Sequence, residues 1–175
     1  MFKFINLGNE KATVEELTSI KNNQKPANYD IRIHNSHIIE LNAVIGRKIF
    51  KKDALYIGSE TLWEIMQDVG EKGKHHYHGL SPQDIYNALS TMKCSKDITL
   101  SYDNRYLIVT LATIFYDVFL VVIVTPEGSL NGNLKKTVNR IITIYPQKKN
   151  EYQYRLLRPK LDTLPLVLDQ LVIED

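Results

Sequence analysis

Apolar side chains recur every three or four positions in three segments of the first half of the chain, which is the spacing of one helix face. In Thr13–Ile20 the first residue is the expected N-cap, because a glutamate follows it three residues later. Between Ser59, another expected N-cap, and Gly70 the apolar positions end at a common helix stop signal. The third segment begins at Ser81 with Pro82 in its first turn. These three segments are predicted helices.

A period of two replaces the helical spacing after Thr91 and predicts a series of strands. A turn at residues 103–105 joins the first two strands as a hairpin, and Pro126 and Pro146 are expected to end the next two. With two short stretches from the first half, the predicted strand regions are 29–41 (one or two strands), 55–57, 98–102, 106–112, 118–125 and 138–145. Further on we expect a short strand over 152–157 and a closing helix over 162–171.

This order of elements predicts an α+β fold, with N-terminal helices packed on one face of a mostly antiparallel, meander-type sheet. A chain of 175 residues is long enough to bury a substantial core. We divide it into an N-terminal extension over 1–45, a main domain over 46–160 and a C-terminal helix or tail over 161–175. No apolar run reaches the length of a membrane span, so no membrane partner is expected.

The net charge of the chain is small, but the charged residues are unevenly distributed along it. The net charge is +2, yet the segment 135–160 holds eight lysines and arginines against one acidic residue. Tyrosines such as Tyr145 lie among these cations, a combination typical of a surface for a polyanion with rings for base stacking. A solvated strand pair whose lysines guard a sheet edge is the alternative. Composition alone leaves both open.

Three of the five histidines fall within four positions, at His75, His76 and His78. An unperturbed imidazole titrates near pH 6.5, so such a cluster suits acid/base catalysis, a metal site or a solvated surface turn. A metal site is disfavoured because adjacent loop histidines lack the i, i+4 spacing of helical zinc motifs. No metal and no cofactor are expected.

Other classes of chemistry find little support in the chain. Glycine-rich phosphate loops are absent, and no strand–nucleophile–helix elbow marks a serine hydrolase. The single cysteine, Cys94, excludes a disulfide framework and fits a reducing, cytoplasmic setting. The remaining possibility is acid/base catalysis without a metal. RNA cleavage requires only a base for the ribose 2′-OH, an acid for the leaving 5′-oxygen and hydrogen-bond donors around the phosphate.

The succession of pieces between Tyr56 and Tyr145 resembles the phage-associated barnase/EndoU/colicin/RelE-like nucleases, the BECR superfamily, over about half of the chain. The matching pieces are Tyr56-Ile57, the helix 59–69, the histidines before Gly79-Leu80, the helix that begins Ser81-Pro82, the hairpin strand 105–109 and the strand end 142–146. The resemblance implies that the domain over 46–160 is a nuclease domain.

In similar EndoU-type enzymes, a histidine-bearing helical region faces a last strand whose Ser/Thr-x-Tyr holds phosphate and base. The resemblance therefore implies that His75, His76 or His78 acts as general acid or base. Thr143 is expected to bind the phosphate, and Tyr145 to stack on or orient a nucleotide.

The same resemblance directs attention to basic residues that could hold substrate. These are Lys74, Arg105, Arg140, Lys148 and Lys149. EndoU-type sites use two separated histidines and a lysine, whereas this chain has three histidines in one loop. His34 or His37 could supply a separated histidine if the N-terminal strands fold over the cleft.

The function expected from these observations is a metal-independent endoribonuclease, a toxin-type effector of a phage or mobile element whose products carry a 2′,3′-cyclic phosphate. Its expected partners are RNA and a neutralising antitoxin or immunity protein. Two alternatives stay open: a non-catalytic RNA- or protein-binding module on the same fold, and a phage accessory or structural protein whose histidine loop is an exposed turn.

Overall fold

Strands in the described part of the chain form one mixed sheet in the order β1-β2-β3-β7-β6-β5-β4. The computed structural model describes residues 3–24, 28–70, 77–95, 97–104 and 106–148. The strands are β1 Lys3–Asn6, β2 Asp30–His34, β3 Leu55–Gly58, β4 Asp97–Asp103, β5 Tyr106–Phe115, β6 Val118–Leu130 and β7 Asn133–Lys148. The β1/β2 and β3/β7 pairs are parallel, and the other four recorded pairs are antiparallel.

Helices come mainly before the β4–β7 meander, which confirms the predicted α+β class with its antiparallel C-terminal meander. They are α1 Glu10–Asn22, α2 Leu41–Ile45, α3 Ser59–Ile65 and α4 Pro82–Ser90. Their buried side chains, such as Leu17, Leu62 and Ile85, share one core cluster with Val122 and Ile144 of the sheet. No helix in the described ranges is long and apolar enough to cross a membrane.

The sheet has a second face, which we define by the cross-strand row Ala112–Val121–Tyr145. Leu120 and Val122, on either side of Val121, belong to the main core, so Val121 points to the opposite side. Ala112 and Val121 are buried in a separate cluster there, against which Tyr145 packs. Further along this face come the row Thr110–Ile123–Thr143 and then the pair Thr125–Arg140.

Strand β7 carries the predicted Thr-x-Tyr pair beyond its contact with β3. The recorded β3 partners are 139–141 of β7, whereas Thr143 and Tyr145 pair only with β6. A register shift between Ile123 and Val124 leaves Ile142 as an extra residue in β7, a β-bulge. The predicted strand end at Pro146 is wrong, because β7 continues to Lys148. Beyond residue 141, β7 has no recorded pairing with β3, and an unpaired strand edge tolerates proline, which has no N–H to donate.

Strand β6 also continues past its predicted stop. It crosses Pro126 with further register shifts and runs to Leu130, where Asn131-Gly132 turns the chain into β7. We call the end of this hairpin, residues 126–137, the β6–β7 arm. Leu130 packs against Tyr56, so the arm leans over the second face.

A buried carboxylate pins the arm. The side chain of Asp30 is 3% exposed, and Arg140 donates a hydrogen bond to its Oδ1. The backbone N–H of Asn131 donates to Oδ2 at 2.7 Å, and Arg140 also donates to the carbonyl of Ser129 at 3.2 Å. Residues on both sides of position 45 thus contribute to one sheet, and the boundary drawn there stays a prediction.

Three predicted elements of the first half differ from the structure. Helix α1 begins at Glu10, because Asn9 and not Thr13 accepts the capping hydrogen bond from Ala12. The side chain of Thr13 is buried and donates to the carbonyl of Asn6. The region 29–41 contains one strand, and its second half forms a short 3-10 turn leading into α2.

Helix α3 ends at Ile65 instead of near Gly70, and its N-cap is Gly58. The hydroxyl of Ser59 is turned inward and accepts from the backbone N–H of Tyr29. By contrast, Ser81 is the N-cap of α4 as the sequence predicts, and Asp84 completes a capping box with it. The predicted elements over 152–157 and 162–171, like the tail over 161–175, lie outside the described residues.

Candidate functional site

His78 meets the Thr-x-Tyr pair of β7. Its Nε2 lies 3.4 Å from the hydroxyl oxygen of Thr143, a long hydrogen bond whose donor depends on the histidine tautomer. The ring centroids of His78 and Tyr145 are 5.9 Å apart, with the planes tilted by 50°. All three side chains are half-buried. Residues separated by more than sixty positions in the chain therefore share one small area, which we call the His78 site.

The backbone around His78 is tied to the end of α3. The N–H of Gly79 donates to the carbonyl of Gln67 at 2.8 Å, and the N–H of Leu80 donates to that of Ile65 at 3.1 Å. Gly79 has a φ of +65°, which a residue with a Cβ adopts only at a cost. Leu80 is buried in the main core. Residues 79 and 80, just before α4, are thus held by backbone hydrogen bonds and by the buried side chain of Leu80.

Aromatic rings extend the site on the helix side. Tyr77 packs edge-to-face on Trp63, with ring centroids 5.8 Å apart. The indole N–H of Trp63 donates to the carbonyl of Asn23 at 3.0 Å, which fixes the ring. The sequence analysis assigns no functional role to Trp63 or Tyr77. The one available signal was the position of Tyr77 inside the histidine cluster.

Of the predicted substrate-binding cations, two lie in the described ranges. Arg140 is engaged by Asp30, so its guanidinium holds the β6–β7 arm. Lys148 is exposed at the end of β7, opposite Val118 and three residues beyond Tyr145. Five predicted site residues lie outside the described residues: Lys74, His75, His76, Arg105 and Lys149.

His34 is remote from the His78 site. It follows Ile33, whose sheet neighbours lead through Leu55 to Asn139 on β7. Thr143 lies four residues further along in the opposite direction, and five residue steps of a strand span on the order of 16 Å. His34 instead packs its ring on Phe4 at a centroid distance of 4.9 Å. The condition under which His34 could supply a separated histidine, that the N-terminal strands fold over the cleft, is therefore not met by β2.

His37 belongs to the same remote end as His34. Its Nδ1 lies 2.8 Å from Oε1 of Glu40, and both side chains are largely exposed. Within the described ranges, no group of three or more histidine, cysteine, aspartate or glutamate side chains is placed to hold a metal ion.

The His78 site combines three chemical capacities. An imidazole can accept or donate a proton near neutral pH. A hydroxyl 3.4 Å away can orient that imidazole or donate to an anionic oxygen. A tyrosine ring held against the buried Ala112–Val121 cluster offers a fixed aromatic surface.

Comparison with known proteins identifies no relative: no family model, no curated protein and no solved structure matches this chain. The resemblance to the BECR nucleases therefore stays a prediction from the sequence pattern.

Proposed function

We propose that the chain is an endoribonuclease that cleaves RNA without a metal ion, with His78 as one of its proton carriers. The observation that carries this proposal is the contact between Nε2 of His78 and the hydroxyl of Thr143, beside the ring of Tyr145. This contact brings together an acid/base group, a hydroxyl that can donate a hydrogen bond to phosphate, and an aromatic ring for stacking. Two of the three lie on β7, within the basic, tyrosine-bearing part of the sequence.

The reaction is a transesterification. The ribose 2′-oxygen attacks phosphorus and closes the 2′,3′-cyclic phosphate, while the P–O5′ bond breaks and its electron pair leaves with the 5′-oxygen. One group takes the 2′-OH proton and another protonates the 5′-oxygen, so two proton carriers are needed. His78 is one of them, and His76 or His75, two and three residues earlier in the chain, is the other.

Thr143 and Tyr145 serve binding in this proposal. The Thr143 hydroxyl donates to a non-bridging phosphate oxygen, where negative charge builds up as the phosphorus becomes five-coordinate. The Tyr145 ring stacks on a flanking base, an interaction worth about 1–3 kcal/mol per base. Lys148 lies at the end of the same strand and attracts the phosphate backbone.

RNA binding without cleavage is the second candidate. The observation that favours it is the exposed Lys148 three residues beyond the packed ring of Tyr145, because a cation and a stacking ring can bind RNA without any proton carrier. Under either candidate the surface binds single-stranded RNA, and a toxin-type nuclease in the cytoplasm would require a neutralising protein partner.

The chemistry of the product ends tests the proposal. Purified protein is incubated with total RNA in EDTA, and the fragments are analysed by mass spectrometry. Fragments ending in 2′,3′-cyclic phosphate are expected, since only the RNA 2′-OH acts as nucleophile. Intact RNA together with salt-dependent binding would favour the second candidate. Fragments ending in 3′-hydroxyl, or cleavage that EDTA abolishes, would contradict the proposed reaction.

A further inference from the structure

A groove of about 630 Å³ adjoins the His78 site on the second face of the sheet. Its lining includes the pair Thr125–Arg140, Ile108 and the bulged residue Ile142, which directly precedes Thr143. Successive same-face rows of a sheet are about 7 Å apart, so the groove begins one row from the Thr143 hydroxyl. A single extended ligand can therefore contact both places.

The β6–β7 arm forms one wall of this groove. Gly128 and Ser129 line it from the arm, and Asp30 keeps the arm in position through Arg140 and Asn131. A Cβ on Gly128 would come within 2.5 Å of the Cβ of Arg140, so the close approach of arm and floor requires glycine there. The groove is thus built by the fold and does not depend on a loose loop.

Two features of the lining indicate what the groove accepts. Tyr106 and Ile142 expose apolar surface, at 58% and 44%. Asp103 and Glu127 add carboxylates. Oε2 of Glu127 accepts the backbone N–H of Leu107 at 2.9 Å, and no residue of the described ranges donates to its Oε1. The lining therefore suits a flat, apolar group that carries N–H donors at its edge.

Carboxylates and phosphates repel each other because both are negatively charged. The phosphate backbone of RNA is therefore not the ligand that this lining fits. A nucleobase does, because its faces are apolar and its edge carries hydrogen-bonding groups. An exocyclic amino group, such as N4 of cytosine, donates to a carboxylate. The carbonyl at the same position of uracil presents lone pairs to the carboxylate oxygens and is repelled.

We propose that this groove binds the nucleobase flanking the phosphate held at Thr143, and that Glu127 and Asp103 select bases with an exocyclic amino group over uracil. The inference rests on the proposed function, since it takes RNA as the ligand. It adds a specificity that the His78 site itself does not provide, because stacking on Tyr145 accepts any base.

The test compares two ligands of the same shape. Short 2′-O-methyl oligomers of cytidine and of uridine lack the nucleophilic 2′-OH, so their binding can be measured by fluorescence anisotropy without cleavage. Wild type is expected to bind the cytidine oligomer about tenfold more tightly, as one charge-assisted hydrogen bond allows. Equal affinities, or a preference for uridine, would overturn the inference.

Glu127→Gln is the decisive variant. Its amide oxygen can still accept from Leu107, while its NH₂ group turns toward the ligand as a donor. The cytidine preference should fall to about equal affinity or reverse toward uridine. Glu15→Gln, an equal change of charge at an exposed position of α1, should keep the preference. If both Glu127→Gln and Asp103→Asn kept the wild-type preference for cytidine, the selecting roles assigned to these two carboxylates would be contradicted.

These binding measurements separate the inference from the proposed function. If cytidine selectivity depends on Glu127 but RNA is never cleaved, the groove assignment stands and the nuclease proposal falls. If RNA is cleaved through His78 with no base preference in binding, the nuclease proposal stands and the groove assignment falls.

Discussion

At the scale of single residues, the contact of His78 with Thr143 and Tyr145 shows which part of the site the sequence could predict. Residue type and spacing singled out the histidine cluster that contains His78, whereas the roles of Thr143 and Tyr145 were implied only by the resemblance to the BECR nucleases. Asp30 and Glu127 were missed. An isolated acidic residue looks like any solvated charge until its partners, Arg140 among them, are known.

Tyr102 provides a residue-scale prediction about pH. Burial of its hydroxyl, reinforced by the charge of Glu127, raises the pKa of Tyr102 above 10.0. A folded-state pKa above the unfolded value gives stability that is fully present below about pH 10 and is lost as pH rises through the folded pKa. Wild type should therefore lose stability to urea more steeply between about pH 9 and pH 11 than Tyr102→Phe.

Tyr116→Phe is the matched control for Tyr102→Phe, because Tyr116 is 97% exposed. It should follow the wild-type pH dependence. The Tyr102 hydroxyl has no hydrogen-bond partner among the described residues, so its removal should cost little stability at neutral pH. A steep alkaline loss retained in Tyr102→Phe would contradict the assignment.

At the scale of elements, local sequence signals predicted a helix end correctly only where the capping hydrogen bonds are made by residues close in the sequence. The N-terminus of α4 at Ser81 was predicted because the capping partner of Ser81, the backbone N–H of Asp84, lies only three residues away. Thr13 carries the same kind of signal, yet its hydroxyl bonds the carbonyl of Asn6 and Asn9 caps the helix. Strands β6 and β7 run past their prolines because each has a long partner, a fact that no local window contains.

Gly79 ties the element scale to the site. Alanine at its φ of +65° should destabilise the protein by about 1–2 kcal/mol and shift the loop that presents His78. Gly70→Ala is the control, since a Cβ there would meet nothing within 4 Å and no positive φ constrains it. The temperature of thermal unfolding and the rate of RNA cleavage should both fall in Gly79→Ala and stay near the wild-type values in Gly70→Ala. Equal behaviour of the two variants would mean that this turn does not position His78.

At the scale of the whole molecule, the α+β class followed from the order of helical and alternating segments, whereas the neighbours in the sheet did not. Placing β3 between β2 and β7 joins the first 60 residues to the last described strand. The ion pair of Asp30 with Arg140 spans 110 positions and has no sequence pattern. Sheet order depends on packing of the complete chain, and the groove beside Thr143 exists only because of that order.

Asp30→Ala tests this long-range construction. Removing one partner of a buried ion pair typically costs about 3–5 kcal/mol, because the other charge stays behind without its partner. We expect a loss of about 3 kcal/mol in urea unfolding, with the groove and its base selectivity impaired. Asp117→Ala, in the exposed turn after β5, should be close to neutral. A loss below about 1 kcal/mol for Asp30→Ala would show that the arm is held by other contacts.

The central claim is that His78 transfers a proton during RNA cleavage, and a matched pair of histidine variants tests it most directly. Single-turnover cleavage of RNA in EDTA is measured for wild type, His78→Ala and His34→Ala. General acid/base catalysis contributes about 10²–10⁴-fold, so His78→Ala should be slower by at least about a hundredfold. His34→Ala, remote from Thr143, should keep the wild-type rate. Equal rates for all three proteins would contradict the claim.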